Sequence, residues 1–321
     1  MQAYILVDGT IERTRSADVV REAHAAGRRL WLDLEQRSAT NDALLTETFR
    51  LHPLVVEDIW LDRNTPKLDD YEDYLYLAVH GPRRARKGAP AGLELWVLDI
   101  VLGGTFVITQ HGDATLAEAM AAALDPSPRL LAAGPPWLVH ALIDHVVDRY
   151  LVVIEIFEKQ IDEVQRDVLT GEDGEGLLPR IFSLRRSIQE LCRITLRQRQ
   201  LLERLSTGEL DEIPKAAVPY FRDVYDHFAR VADRAEVHRD VITNALDAFL
   251  GIQSNRMNRT IQTLTLMSTV MLPLNLIAGI YGMNFRHLPE LSWQYGYPFA
   301  LGLMATVATT ILLLFRRKRW W

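Results

Sequence analysis

The sequence predicts a mixed α/β (α+β) soluble domain, joined by a long stalk helix to a two-helix transmembrane hairpin. Three observations predict it. Residues 260–285 and 291–315 are two uncharged segments, and a bilayer core about 30 Å thick needs roughly 20 apolar residues in a helix to cross it. Short β-branched and aromatic runs fill the first third of the chain. An apolar series at steps of three and four then leads without a proline or glycine cap into the first uncharged segment.

In the first 135 residues, strands are expected at 4–7, 29–32, 74–79, 93–101 and 105–109, each bounded by turn residues. Gly103-Gly104 marks a hairpin. Helices fit 41–51, 53–60 and 116–124, and residues 82–92, rich in Arg, Lys, Gly and Pro, read as an exposed loop.

Beyond Pro135-Pro136 the chain turns helical. Residues 137–170 form one amphipathic helix, broken by Gly171, Gly174 and Gly176 with Glu172, Asp173 and Glu175 among them. Ile181, Leu184, Ile188, Leu191, Thr195, Gln198, Leu202 and Leu205 then repeat as a coiled-coil seam. The two helices make a hairpin with an acidic tip over 136–213. From Phe221 the series Val224, Phe228, Val231, Ala235, His238, Ile242, Ala245, Phe249 and Ile252 describes a stalk over 214–259. It is expected to continue rigidly into a first span at 260–285, at least to Pro273. A short loop at 286–294, a second span at 295–315 and a basic tail at 316–321 complete the chain.

Loose backbone cannot be satisfied in lipid, so each uncharged segment is expected to span as a helix. Arg316, Arg317, Lys318 and Arg319 follow the second span, Arg256 and Arg259 precede the first, and the loop carries only Arg286. Basic loops stay in the cytosol, which places both termini there, in the cytoplasmic (inner) membrane. Trp293, Tyr295, Tyr297, Trp320 and Trp321 suit the two interfaces. The first residues lack a basic region followed by an apolar core, so no leader is expected before the domain. The net charge of −6 argues against nucleic acid as a partner. The single cysteine, Cys192, excludes an intramolecular disulfide and a cysteine metal cluster.

Chemistry-bearing residues concentrate on the stalk and first span. Asp226, Asp233, Asp240 and Asp247 recur every seven residues opposite the apolar seam. At about 100° per residue, Asp240 lies on the line of Asn258, with Asp247 about 20° off it. A solvated outer face and a cation-attracting row both fit that pattern. Asn258, Thr265, Ser268 and Asn275 form a polar set within the span; such groups either bond a neighbouring helix or line water. Two helices cannot enclose a pore, so a water-lined path requires a homo-oligomer. Amide and hydroxyl oxygens without a carboxylate at membrane depth suit an ion that keeps its water shell, as magnesium does. Neither a Gly-x-Ser-x-Gly elbow nor a phosphate-cradling loop is present, so an enzyme is not expected. A coiled-coil protein with a passive anchor is the rival, and it gives no reason for a polar face in the span.

The run Ile277-Ala278-Gly279-Ile280-Tyr281-Gly282-Met283-Asn284-Phe285, with Leu288-Pro289-Glu290-Leu291 and Tyr295-Gly296-Tyr297-Pro298 after it, resembles the CorA family of magnesium transporters. Looser likeness extends to His52-Pro53-Leu54, Pro66-Lys67, Tyr74 to Leu77, Tyr225-Asp226-His227 and the basic tail. The resemblance implies a homopentamer in which Gly282, Met283 and Asn284 form the selectivity entrance. It implies Asn258, Leu264, Leu272 and Asn275 along the pore, with the leucines as a hydrophobic constriction, and the polar face of the span adds Ser268 to that lining. Asp240 and Asp247 would attract cations on the cytosolic side, and Asp223 would bind regulatory Mg2+ between subunits, with Asp69, Asp70, Glu72 and Asp73 as candidate partners. The implied cargo is hydrated Mg2+, with Co2+ or Ni2+ as further ions and Zn2+ as the alternative of a related branch, and no organic cofactor.

Overall fold

A computed structural model describes residues 1–61, 65–84, 93–111, 129–171, 176–283 and 293–318. It contains two compact units, Met1–Leu246 and Asp247–Trp321.

The first unit opens with strands β1 (Gln2–Val7) and β2 (Thr10–Thr14), joined by Asp8-Gly9. Both turn residues have positive φ, 50° and 82°, the conformation that two-residue hairpins demand and that Asp-Gly supplies. Helix α1 (Ala17–Ala25), strand β3 (Leu30–Leu34), helix α2 (Ala39–Ala43) and helix α3 (Pro53–Ile59) follow, with a π-helical turn at Leu44–Thr48 extending α2. Strands β4 (Lys67–Tyr71), β5 (Tyr74–Arg84), β6 (Leu93–Gly103) and β7 (Phe106–His111) complete a seven-stranded sheet in the order β2-β1-β3-β7-β6-β5-β4. Only β3 and β7 pair in parallel.

The five strands expected from sequence are present, and β2, β4 and α1 were not foreseen. β2 lies at the sheet edge with no buried residue, so it lacks an apolar alternation to read. α1 buries only Val20 and Ala23. The expected loop at 82–92 is corrected in part, because β5 remains paired to β6 through Arg84. β4 covers β5 only as far as Ala78, so Pro82 sits where β5 has a free edge, the place a sheet tolerates proline. Residues 85–92 and the expected helix at 116–124 lie outside the described residues.

Strand alternation builds two layers. Ala3, Ile5, Leu30, Leu32, Tyr76, Ala78, Val101 and Ile108 join Val20, Leu44, Leu45, Val55 and Ile59 of the first helices in one core. After the short helix α4 (Arg129–Ala133), helices α5 (Pro135–Thr170) and α6 (Leu177–Thr207) cover the other face, contacting β5 and β6. The α5–α6 pair is therefore not a free coiled coil. Thr195 and Gln198, polar members of the supposed seam, are 1% and 0% exposed. Gln198 Oε1 accepts from the His80 amide at 2.8 Å, and the Tyr150 hydroxyl donates to the His80 carbonyl at 2.9 Å. Gly171, at φ 70°, ends α5 in the left-handed conformation glycine favours; residues 172–175 of the acidic tip are outside the described residues.

Gly81 is fixed by close approach. A Cβ there would meet the Trp96 ring at 2.1 Å, and Arg149 lies over that ring at 5.7 Å. Gly81→Ala is expected to cost about 1–3 kcal/mol, as forced overpacking does. A drop of several degrees in the melting midpoint of the purified protein checks it, and an unchanged midpoint means the ring yields freely.

Helix α7 (Val218–Tyr281) starts in the first unit and ends in the second, with Pro273 inside it. The expected seam is buried: Phe221, Val224, Phe228, Val231, Ala235 and Ile242 are at most 1% exposed, and His238 is 9% exposed. Helix α8 (Gly296–Arg317) is the other element of the second unit.

Candidate functional site

The motifs that mark the soluble domain serve its architecture. The His52 imidazole caps α3 by accepting from the Leu54 amide at 3.2 Å, and Pro53 stands in the first turn, where its missing N–H costs nothing. The His52 amide donates to the Tyr74 hydroxyl at 2.8 Å. Lys67 bridges Asp58 at 2.6 Å and Asp69 at 3.1 Å, so Asp69 is engaged within its own chain. Asp70, Glu72 and Asp73 remain exposed. Burial first, and then Asp70 and Asp211, push the Glu212 carboxyl above its ordinary value, while a backbone hydrogen bond opposes them.

Asp223 lies near the start of α7 with its side chain 68% exposed, and His227 one turn on is 3.6 Å away. Burial pulls the His140 imidazole below its usual value, with Asp144 and Asp223 pulling the other way. Among the described residues no group of three or more metal-ligating side chains forms a site within one chain. Asp223 therefore offers one accessible carboxylate.

Down the stalk, Asp226, Asp233, Asp240 and Asp247 are all exposed, as the heptad spacing requires. Their surroundings differ. Asp233 meets Arg199 at 3.5 Å and Asp240 meets Arg239 at 3.1 Å; among the described residues Asp247 has no ion-pair partner.

In the second unit, α7 and α8 are both long and apolar enough to cross a membrane, and their apolar windows are 0% and 6% buried. From residue 262 onward, the half-buried residues of α7, Gln262, Leu266, Val270, Pro273, Leu274, Ile277 and Tyr281, fall in one stripe. So do the buried Gly296 and Ala300 and the half-buried Met304, Val307, Ala308, Ile311 and Phe315 on α8. Matching stripes at steps of three and four are the pattern of two helices packed along one seam. At about 100° per residue, Asn258, Leu264, Ser268, Leu272 and Asn275 share an arc of about 120°, centred about 160° from that seam. All five are exposed, Leu264 at 65% and Leu272 at 71%. The face expected to line water is thus exposed along the span. The hydroxyls of Thr265 and Thr269 donate back to the Ile261 and Thr265 carbonyls at 2.8 and 2.7 Å, so helix backbone satisfies these donors.

At the far end, the Gly282 amide donates to the Ala278 carbonyl at 2.9 Å and the Met283 amide to Ile280 at 3.3 Å. Met283 is 48% exposed. Asn284 lies outside the described residues.

The α/β/α unit is thus joined through α7 to the first of two helices, α7 and α8, that are long and apolar enough to cross a membrane. Residues 27–318 match the family model described as CorA-like Mg2+ transporter protein. The chain belongs to this family, whose members move divalent metal cations across membranes. It is 34% identical over 295 residues to YfjQ of Bacillus subtilis, covering 90% of this chain and 89% of that one. It is 32% identical over 288 residues to the cobalt/magnesium transport protein CorA of Thermotoga maritima, covering 85% and 78%. The CorA magnesium transporter structure from Methanocaldococcus jannaschii superposes with a TM-score of 0.82 at 20% identity, covering 100% of this chain and 98% of that chain.

Proposed function

We propose that this chain carries hydrated Mg2+ into the cell through a homopentameric pore in the cytoplasmic membrane, with both termini in the cytosol. The observation that carries the reading is the uncovered face of α7, where Asn258, Ser268 and Asn275 alternate with Leu264 and Leu272. A lone hairpin would leave those amides in lipid, at a cost that a ring of copies around water removes. Amide oxygens meet an ion through its water shell, and a leucine ring closes the path by excluding water. Magnesium releases its shell most reluctantly, so a pore that reads the hydrated ion suits it. Co2+ and Ni2+ are hydrated ions of the same geometry, and the Thermotoga maritima relative is named for cobalt as well as magnesium. Uptake of Mg2+ into proteoliposomes containing the purified protein tests the reading; vesicles no more permeable than empty ones would sink it.

Asp240 and Asp247 act in this scheme by concentrating cations below the pore. Because Arg239 already engages Asp240, Asp247 carries the larger share. Asp247→Asn is expected to lower flux at low ionic strength by a factor of a few, and the loss should shrink toward 0.5 M salt as screening grows. Flux equal to wild type at low salt identifies the row as a wet surface only.

A further inference from the structure

We propose that His238 is a proton sensor in the stalk: its neutral imidazole completes the packing of α7 on α5, and uptake of a proton loosens that packing. This goes beyond the transport reading and is tested without it. Ring contacts and a salt bridge show how the two helices run. His140 meets Phe221 with ring centroids 5.7 Å apart, Tyr150 meets Phe228 at 5.1 Å, and Arg234 reaches Glu158 at 2.8 Å. The residue numbers rise together, so α5 and α7 are parallel. One turn beyond the bridge, Asp162 on α5 and His238 on α7 are then level. His238 takes a core position between Ala235 and Ile242, both 0% exposed, and is itself 9% exposed. Among the described residues its buried Nε2 has no hydrogen-bond partner.

Phe221, Val224, Phe228, Val231, Ala235 and Ile242 of the same seam are apolar and buried. Another apolar side chain would fill this position without leaving a polar atom unpaired, which is costly in a core. What an imidazole adds is a charge that switches on near neutral pH. Burial, the largest influence, holds the His238 pKa below its ordinary 6.5, while Glu158 and Asp162 on α5 raise it and Arg234 on α7 lowers it. Arg234 and Glu158 are bridged and act on the ring in opposite senses, and Asp162 does not make up for burial. The groups of α6 address other positions of α7: Arg199 reaches Asp233 at 3.5 Å, and the Cys192 thiol lies in the field of Arg239, Glu236 and Asp240. A histidine held low in the fold stabilises it fully above 6.5, and that contribution is lost as pH falls through 6.5 toward the folded value. Acid therefore places a poorly compensated charge in the α5–α7 seam, on the helix that continues to Tyr281.

The experiment is hydrogen exchange of the full-length protein in neutral detergent at about pH 7.5 and about pH 5.5, a window in which ordinary carboxylates stay ionised. Rates are corrected for the pH dependence of intrinsic exchange. Wild type is expected to lose protection severalfold at the lower pH in the segments around Asp162 on α5 and His238 on α7. His238→Phe and His238→Gln carry no group that titrates in this window, and both should keep their neutral-pH protection in acid. Wild-type protection that is the same at both pH values in those segments overturns the proposal. So does an equal acid loss in the folded variants. A loss that begins instead near His140 and Phe221 also overturns it, because burial likewise holds the His140 imidazole low and the sensor would then be at the other end of α5. The wild-type comparison decides by itself should neither variant fold.

Discussion

Asn284→Ala is expected to reduce Mg2+ influx to background while the oligomer remains assembled. The last described backbone bonds beyond α7 are those of Gly282 and Met283, and Asn284 is the next residue in the sequence. In the proposed pore its amide meets an ion that still holds its water. Alanine removes the amide without adding bulk or charge, so packing and assembly should survive. Gly282→Ala is a less clean probe. A Cβ there would stand 3.0 Å from the Ala278 carbonyl, and lost flux could report a distorted helix end. Flux into proteoliposomes, with assembly measured by size, decides the point. An assembled Asn284→Ala protein that conducts like wild type would remove the amide from the mechanism.

Asp223→Ala is expected to abolish protection of the soluble domain from protease by Mg2+. Wild type should become resistant at millimolar Mg2+, the range in which weak oxygen-ligand sites work. The proposed cation bridges Asp223 to a carboxylate of a neighbouring copy, and its removal leaves like charges facing each other. A ligand shifts such an equilibrium only through its different affinity for the two arrangements. With its side chain 68% exposed, Asp223 contributes little to folding, and replacement should change stability by less than about 0.5 kcal/mol. Lost protection would therefore report lost binding rather than a weakened fold. If the variant keeps the Mg2+-dependent protection of wild type, the regulatory site lies elsewhere.

Much of the architecture was legible because periodicity records burial. The seam from Phe221 to Ile242 and the two apolar spans repeat at helical steps, and each central strand of the sheet carries a buried apolar run. Elements without such a signature escaped. β2 is an edge strand with no buried residue, although Asp8-Gly9 announces its hairpin. β4 places Asp69 and Asp70 on the sheet's other edge. In the candidate site, the exposed heptad of aspartates was legible, but the engagement of Asp240 by Arg239 and of Asp69 by Lys67 was not.

By itself the sequence determined the two spans, the helix that joins the stalk to the first of them and the family, since span length, helical period and a motif are properties of the linear chain. Tertiary structure alone decided what each face meets. Thr195 and Gln198 fit a coiled-coil pattern as well as any other, and only the sheet beneath α6 buries both and makes Gln198 a partner of His80. The arc of Asn258, Leu264, Ser268, Leu272 and Asn275 was visible as a face of a helix. That this face is exposed while the opposite one is half-buried depends on tertiary packing, and no local pattern encodes it.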